Sequence, residues 1–243
     1  MGLEIDSQRT PDSYDTRLPR LAINLISHSP LAGALERSLK GRASGITSSR
    51  ELSEVIQPGE TVLDVGVGTG HITNLVQKIT GGRVIGIDLA DLRTPSTRER
   101  GEFLLSDGRY LPIRDSAVNV VMLMDVLHLS SNPEQLLREA FRVLKPGGRV
   151  VILEDTIPEE AHPVKLFAVK LMNMLLNTQR VWSDSQSYHS RERWRQILTE
   201  IGFDPDVHAR TWHWNFKDLT PLGRVWPFGP FESTRLVATK RNS

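Results

Sequence analysis

The stretch Thr61-Val62-Leu63-Asp64-Val65-Gly66-Val67-Gly68-Thr69-Gly70-His71 constrains this chain more than any other. It reads as a short apolar strand, a glycine-rich turn and the start of a helix over Ile72 to Ile79. Three glycines at alternate positions let the backbone turn sharply and place no Cβ between it and a ligand. The helix behind them offers backbone N–H groups and a positive dipole end. The spacing is G-x-G-x-G, one residue tighter than the G-x-G-x-x-G turn that cradles a pyrophosphate. A smaller ligand can sit directly on the tighter turn. Taken singly, such a turn also fits a purely structural strand-to-helix corner, and the downstream sequence decides between the two.

Downstream, strands and helices alternate. Strands are expected at Arg83 to Asp88, Phe103 to Ser106, Val118 to Met124 and Arg149 to Leu153. Pro133 to Leu144 has the pattern of an amphipathic helix that starts at a proline and stops before Pro146-Gly147-Gly148. Near-continuous Val/Ile/Leu strands between helices indicate a doubly wound α/β fold, a mostly parallel sheet covered on both faces. Before the glycine turn, residues 1–45 read as a polar arm followed by N-terminal helices, and residues 46–243 as the main domain. Ser48 and Glu51 fit a capping box opening a short helix. After the fifth strand the alternation breaks. Residues 156–189 read as a helical insertion, with a long apolar helix over Glu159 to Thr178. Ser190 then caps a helix from Arg191 to Ile201, which Gly202 ends, and strand-like runs follow at Val207 to Phe216 and Ser233 to Thr239.

The 243 residues suffice for a full hydrophobic core without metals or disulfides. With no cysteine, neither disulfides nor Cys-ligated zinc is available. A net charge of +1 implies no polyanionic partner, and no His/Asp/Glu spacing suggests a metal site. No uninterrupted apolar run is long enough to span a bilayer and no secretory signal pattern stands at the N-terminus, so a cytoplasmic protein is expected.

In an open parallel sheet, ligands bind outside the carboxyl ends of the strands, beside strand one. Four acids fall at those ends: Asp64 just before the turn, Asp88 after strand two, Asp107 (followed by Gly108) after strand three, and Asp125 after strand four. One such carboxylate is most often a cap or a turn residue. Four around a single glycine turn point to a nucleoside site, with Asp88 placed to accept hydrogen bonds from ribose hydroxyls.

These motifs carry a family resemblance. Val62 to Gly70, Val84-Ile85-Gly86-Ile87-Asp88, Ser106-Asp107-Gly108 with Leu111-Pro112, Val126-Leu127-His128 and Leu144 to Ile152 follow one another in the order found in class I S-adenosyl-L-methionine (SAM)-dependent methyltransferases. The chain resembles in particular the small-molecule branch containing the ubiquinone/menaquinone C-methyltransferases. The resemblance implies a Rossmann-like seven-stranded sheet in the order 3-2-1-4-5-7-6, with the last strand antiparallel. It implies that SAM is the cofactor, that Gly66, Val67, Gly68 and Gly70 approach its methionine part, and that Asp64 orients the turn or binds the amino group. Asp88 would hold the ribose, Leu89 would pack on the adenine, Asp107 with Gly108 would meet the adenine amino group, and Asp125 would face the methyl end. Three positions depart from the branch: Pro95 interrupts a short span between Asp88 and Asp107, Val118-Asn119 replaces a Phe-Asp pair, and Leu129 replaces a second histidine.

Methyl transfer from a sulfonium needs an in-line nucleophile more than a protein nucleophile, so positioning dominates. A general base helps where the acceptor must lose a proton. His128, just after strand four, is the first candidate, with a helix-start or packing histidine as its other reading, and His189 is the second. The expected acceptor is a small, partly apolar molecule in a pocket covered by residues 1–45 and the insertion, where Met172 and Met174 could line it; Tyr14-Asp15 matches a pair in the arm of the quinone methyltransferases. Trp212, Trp214, Trp226, Phe228 and Phe231 are candidates for a pocket wall or a homodimer surface, with ordinary core packing on terminal strands as the other reading. Three alternatives stand beside this one: a methyltransferase acting on a macromolecule, a SAM-binding protein that transfers no methyl, and a nicotinamide oxidoreductase. No basic-aromatic stripe supports nucleic acid as partner.

Overall fold

A computed structural model of the chain describes residues 49–98, 101–156, 189–206, 210–213 and 232–241. Helix α1 (Ser49–Val55) leads to strand β1 (Val62–Val65), and the glycine turn opens α2 (His71–Thr80). Then come β2 (Val84–Asp88), the four-residue α3 (Pro95–Arg98), β3 (Glu102–Leu105) and β4 (Val118–Met124). Helix α4 (Pro133–Val143) and β5 (Leu144–Thr156) follow, then α5 (Arg191–Ile201), β6 (Phe203–Pro205), β7 (Arg210–His213) and β8 (Glu232–Lys240).

The strands form one sheet in the order β3-β2-β1-β4-β5-β8-β6, with β7 also paired to β8. The pairs from β3 through β5 are parallel, whereas β8 runs antiparallel to β5, β6 and β7. Since β5 takes one edge of β8, β6 and β7 lie in succession along the other and together fill the place of a sixth strand. The expected seven-stranded, mostly parallel, doubly wound architecture is the one observed.

Side chains of the central strands β1, β2 and β4 alternate between two buried layers, which is why these strands are rich in Val, Ile and Leu. Leu63, Val65, Val121, Leu123, Val150 and Ile152 pack against Leu136, Leu137 and Ala140 of α4 and Trp194, Ile197 and Leu198 of α5. Val62, Val120, Met122, Val151 and Leu153 face the other way, toward Leu52 and Val55 of α1 and Val76 of α2. Local chemistry sets the helix ends. The Asn132 side chain accepts from the Gln135 N–H ahead of Pro133, Ser190 accepts from the Arg193 N–H, and Gly202 closes α5 in the left-handed region.

Several boundaries differ from expectation. Strand β5 begins at Leu144, which pairs with Val118; Lys145 to Gly148 bulge out before the ladder resumes at Arg149 opposite Val120. A separate β6 precedes the expected Val207 start. Phe203, wholly buried, turns straight from Gly202 into the sheet, and Pro205 is tolerated because this strand lies on the edge. Helix α3 is short, in keeping with Pro95. The expected N-terminal helices with Tyr14-Asp15, the capping Ser48, the helix over 159–178 with Met172 and Met174, and Trp214, Trp226, Phe228 and Phe231 lie outside the described residues. Among the described residues no helix is long and apolar enough to cross a membrane.

Candidate functional site

The site grows from the carboxyl rim of β1. Gly66, Gly68 and Gly70 have φ of 84°, 53° and 78°, in the left-handed region where a side chain is strained. A Cβ on Gly66 would lie 2.8 Å from Val126 Cγ2, so the loop after β4 closes directly on the turn. A Cβ on Gly68 would meet nothing within 4 Å, and this is the open side. Val67 is buried and packs over Gly86, leaving only its backbone to face the rim. Helix α2 begins at Gly70 with no side chain capping it, so its first N–H groups look toward the same rim.

Around this turn stand the four acids. Asp64 is 2% exposed and its carboxyl accepts from the Thr73 hydroxyl at 2.6 Å, tying β1 to the first turn of α2. Burial, with the Asp88 charge adding to it against the opposing Thr73 hydrogen bond, pushes this carboxyl up to about 6. Asp88 accepts from Gly68 N–H at 2.8 Å with one oxygen and from Leu89 N–H at 2.7 Å with the other. A carboxylate oxygen can accept more than one hydrogen bond, which is the chemistry that a pair of ribose hydroxyls calls for. Asp107 accepts from the Arg109 N–H and, at 2.6 Å, from the Arg109 guanidinium, and Gly108 beside it faces Leu136. Asp125 sits at φ 53°, left-handed although not glycine, and its N–H donates to Leu153 O.

The exposed large apolar side chains among the described residues are Leu89, Leu105 and Tyr110. Leu105 pairs in register with Asp88, and all three belong to the ends of β2 and β3 or the loop just beyond. Scattered exposed leucines carry no message, but a cluster at one end of two adjacent strands offers a flat ligand an apolar seat.

Beyond β4, residues Leu127–Leu129 form one 3₁₀ turn. His128 is 2% exposed and its Nδ1 lies 2.6 Å from Glu154 Oε2, while Oε1 accepts from Leu127 N–H at 2.6 Å. Glu154, on β5, is as buried as the histidine, and Thr156 and Thr234 form a further buried hydroxyl pair at 2.7 Å. His189 is half-buried, edge-on to Trp194 at 4.7 Å; burial and the Arg193 guanidinium hold its imidazole below the ordinary range. Among the described residues no group of three or more His, Cys, Asp or Glu could hold a metal ion.

Two contributions escaped the sequence reading. Glu154 is an acid ending an apolar strand, the same signal that singled out Asp88, Asp107 and Asp125. The segment from Asp91 into α3 buttresses the glycine turn, with Thr94 N–H and the Thr97 hydroxyl donating to Thr69 O and Arg93 lying over the Phe103 ring. Nothing in its polar sequence signals that contact.

Comparisons with known proteins agree with this geometry. A family profile described as a methyltransferase domain matches residues 63–152. The ubiquinone/menaquinone biosynthesis C-methyltransferase UbiE of Pseudomonas fluorescens is 30% identical over 176 residues, covering 63% of this chain and 68% of that protein. An arsenite methyltransferase of Halobacterium salinarum is 38% identical over 105 residues, covering 39% of this chain but only 27% of that protein. Among solved structures, a Haemonchus contortus phosphoethanolamine N-methyltransferase 2 in complex with phosphomonomethylethanolamine and S-adenosylhomocysteine shares the fold, with a TM-score of 0.68 at 14% identity over 92% of this chain and 60% of that one.

Proposed function

The chain belongs to the SAM-dependent methyltransferases, and on that premise we propose that it methylates a small, partly apolar aromatic acceptor that carries a hydroxyl group. The residues at the rim fit SAM. The open side of Gly68, the uncapped start of α2 and the glycines around it suit the methionine part. Asp88 would take the ribose hydroxyls. The adenine would rest on Leu89, with Leu105 and Tyr110 as its apolar rim, its amino group toward Asp107 and Gly108. Asp64 would orient the turn, and Asp125 would flank the methyl end. When bound, SAM supplies a methyl group on a sulfonium that leaves as a neutral thioether, so no acid is needed for the leaving group.

The protein's work is to hold the acceptor in line and exclude water, for which effective molarities of about 10⁵–10⁸ M are attainable. His128 would take the acceptor's proton, a contribution of roughly 10²–10⁴ in rate. That buried histidine, at the carboxyl end of β4 beside the loop that closes on Gly66, is the observation that carries the reading. The UbiE relatives are named for ubiquinone and menaquinone biosynthesis. A methyl electrophile attacks an electron-rich ring, so the reduced hydroquinone is the form such an acceptor would take. An arsenite acceptor fits less well: a soft centre favours thiolates, and this chain has no cysteine. The chain leaves β5 at Thr156 and enters α5 from Ser190, both at this rim.

The test is incubation with methyl-tritiated SAM and a short-prenyl naphthohydroquinone lacking the ring methyl, under reducing conditions. Label is expected in the organic phase as methylated hydroquinone. Label entering only precipitated protein or nucleic acid from an added cell extract would replace this reading with a macromolecular acceptor. S-Adenosylhomocysteine binding with no labelled product from any source would leave a binding protein.

A further inference from the structure

We propose that Asp64 makes the glycine turn selective for the cationic cofactor over its neutral product, releasing a proton when a sulfonium occupies the turn and holding one when a thioether does. The proposal rests on the reading of Gly66 to Gly70 as the seat of the methionine part of SAM, and deepens it. Tying β1 to α2 does not call for an acid. The Asp64 carboxyl accepts from the Thr73 hydroxyl at 2.6 Å, and an asparagine amide would accept the same bond. What a carboxyl adds at this place is a charge that can be present or absent. At 2% exposure that charge is costly unless it is paired, and among the described residues no cation pairs with it.

The groups around Asp64 leave its charge to be answered by a ligand. In register beside it stand Gly86 of β2 and Met122 of β4, both neutral. Strand alternation sets it on the face of Val62, where Leu52 and Val55 of α1 and Val76 of α2 pack. From α2 comes Thr73, while His71 and Lys78 of that helix are exposed. The charged group that reaches it is Asp88, at the end of β2, and it has the same sign. Burial, opposed by the Thr73 hydrogen bond and helped by the Asp88 charge, pushes the carboxyl up to about 6. An acid half ionised near that pH therefore stands directly before the turn that Asp88 grips at Gly68.

SAM and S-adenosylhomocysteine share their ammonium, carboxylate and adenosyl groups and differ by one methyl and the positive charge on sulfur. A positive charge brought to the turn favours ionised Asp64, whose proton goes to solvent. With a thioether there instead, that attraction is gone and Asp64 regains a proton from solvent. The preference for SAM is thus fully present above about pH 6 and is lost as pH falls below it. A unit charge acting through protein of effective dielectric about 20 shifts such an equilibrium by roughly tenfold.

The test is titration calorimetry of the full chain with SAM and with S-adenosylhomocysteine, from about pH 5 to about pH 7.5, in buffers of different ionisation enthalpy. The ratio of the two dissociation constants is expected to move about fivefold in favour of SAM across that range. Near pH 5.5, SAM is expected to release on the order of half a proton more than S-adenosylhomocysteine does. Asp64→Asn is expected to abolish both effects. Thr73→Val removes the hydrogen bond that favours the ionised acid and is expected to move the midpoint of the change to higher pH. A ratio independent of pH in the wild type, a ratio that moves equally in Asp64→Asn, or a midpoint unmoved in Thr73→Val overturns the proposal. Should Asp64→Asn not fold, the Thr73→Val midpoint decides. Binding of neither ligand sinks the cofactor reading and the proposal with it, whereas binding of both at a constant ratio sinks the proposal alone.

Discussion

Gly68 donates its backbone N–H to the Asp88 carboxylate at 2.8 Å, so the turn after β1 is fastened to the end of β2. One carboxylate thereby shapes the glycine turn and, on the proposed reading, also takes the ribose hydroxyls of the cofactor. The two duties can be separated by substitution.

Asp88→Ala is expected to weaken S-adenosylhomocysteine binding by about 1.5–3 kcal/mol, roughly ten- to a hundredfold, as for hydrogen bonds to a charged group. The melting temperature falls as well, since Gly68 N–H loses its acceptor. Asp88→Asn keeps an oxygen for Gly68 and is expected to recover most of the stability but not the affinity. Titration calorimetry and thermal unfolding on both variants check this; wild-type affinity in either would remove Asp88 from the ribose.

Gly66→Ala and Gly68→Ala should part company. Both force a side chain into the left-handed region, at about 1–2 kcal/mol. Only at Gly66 does the new Cβ strike Val126, 2.8 Å away, and overpacking adds about 1–3 kcal/mol. Gly66→Ala should therefore be the less stable in urea. Gly68→Ala should lose more ligand affinity than stability, because its methyl group projects into the open side. Equal stabilities would argue that the loop after β4 yields freely.

Asp64 makes stability depend on pH. Its carboxyl sits at about 6 in the folded chain against an ordinary 3.8, so between those values the folded state holds the extra proton. The contribution is fully present below about 3.8, is lost as pH rises to about 6, and is flat above; its full size is on the order of 3 kcal/mol at 1.36 kcal/mol per pH unit. Asp64→Asn keeps an acceptor for Thr73 without the charge. Relative to that variant, the wild type should lose stability between pH 4 and 6 in urea titrations and then level off. A constant difference would mean that the carboxylate ionises as easily folded as unfolded.

Arg149 ties β5 to α1 and to the turn before β1, with Nε donating to Val55 O at 2.6 Å and the guanidinium forming an ion pair with Glu60. Lysine has one point charge and no fork. Arg149→Lys should lower unfolding stability by roughly 1–3 kcal/mol, as for a broken hydrogen bond to a charged group. An unaltered urea midpoint would show that α1 needs no such anchor.

What could be read in the linear chain was whatever is decided locally. Runs of Val, Ile and Leu bounded by glycine and proline mark strands because both faces of the sheet are covered. Asn132-Pro133, Ser190 and Gly202 mark helix ends because caps are made within one turn. Hence the sheet, the glycine turn and the acids at the strand ends were legible. Pairings made across the sheet were not. Glu154 meets His128 at a separation of 26 residues, through the register of β4 and β5. Thr97 reaches Thr69 from 28 residues away, out of the four-residue α3, which has no pattern of its own. The sequence by itself determined which groups arrive at the rim, since alternation and turn chemistry depend on near neighbours. Only the tertiary structure decided which of them share a proton, because hydrogen bonds form at a few ångströms and chain separation says nothing about that distance.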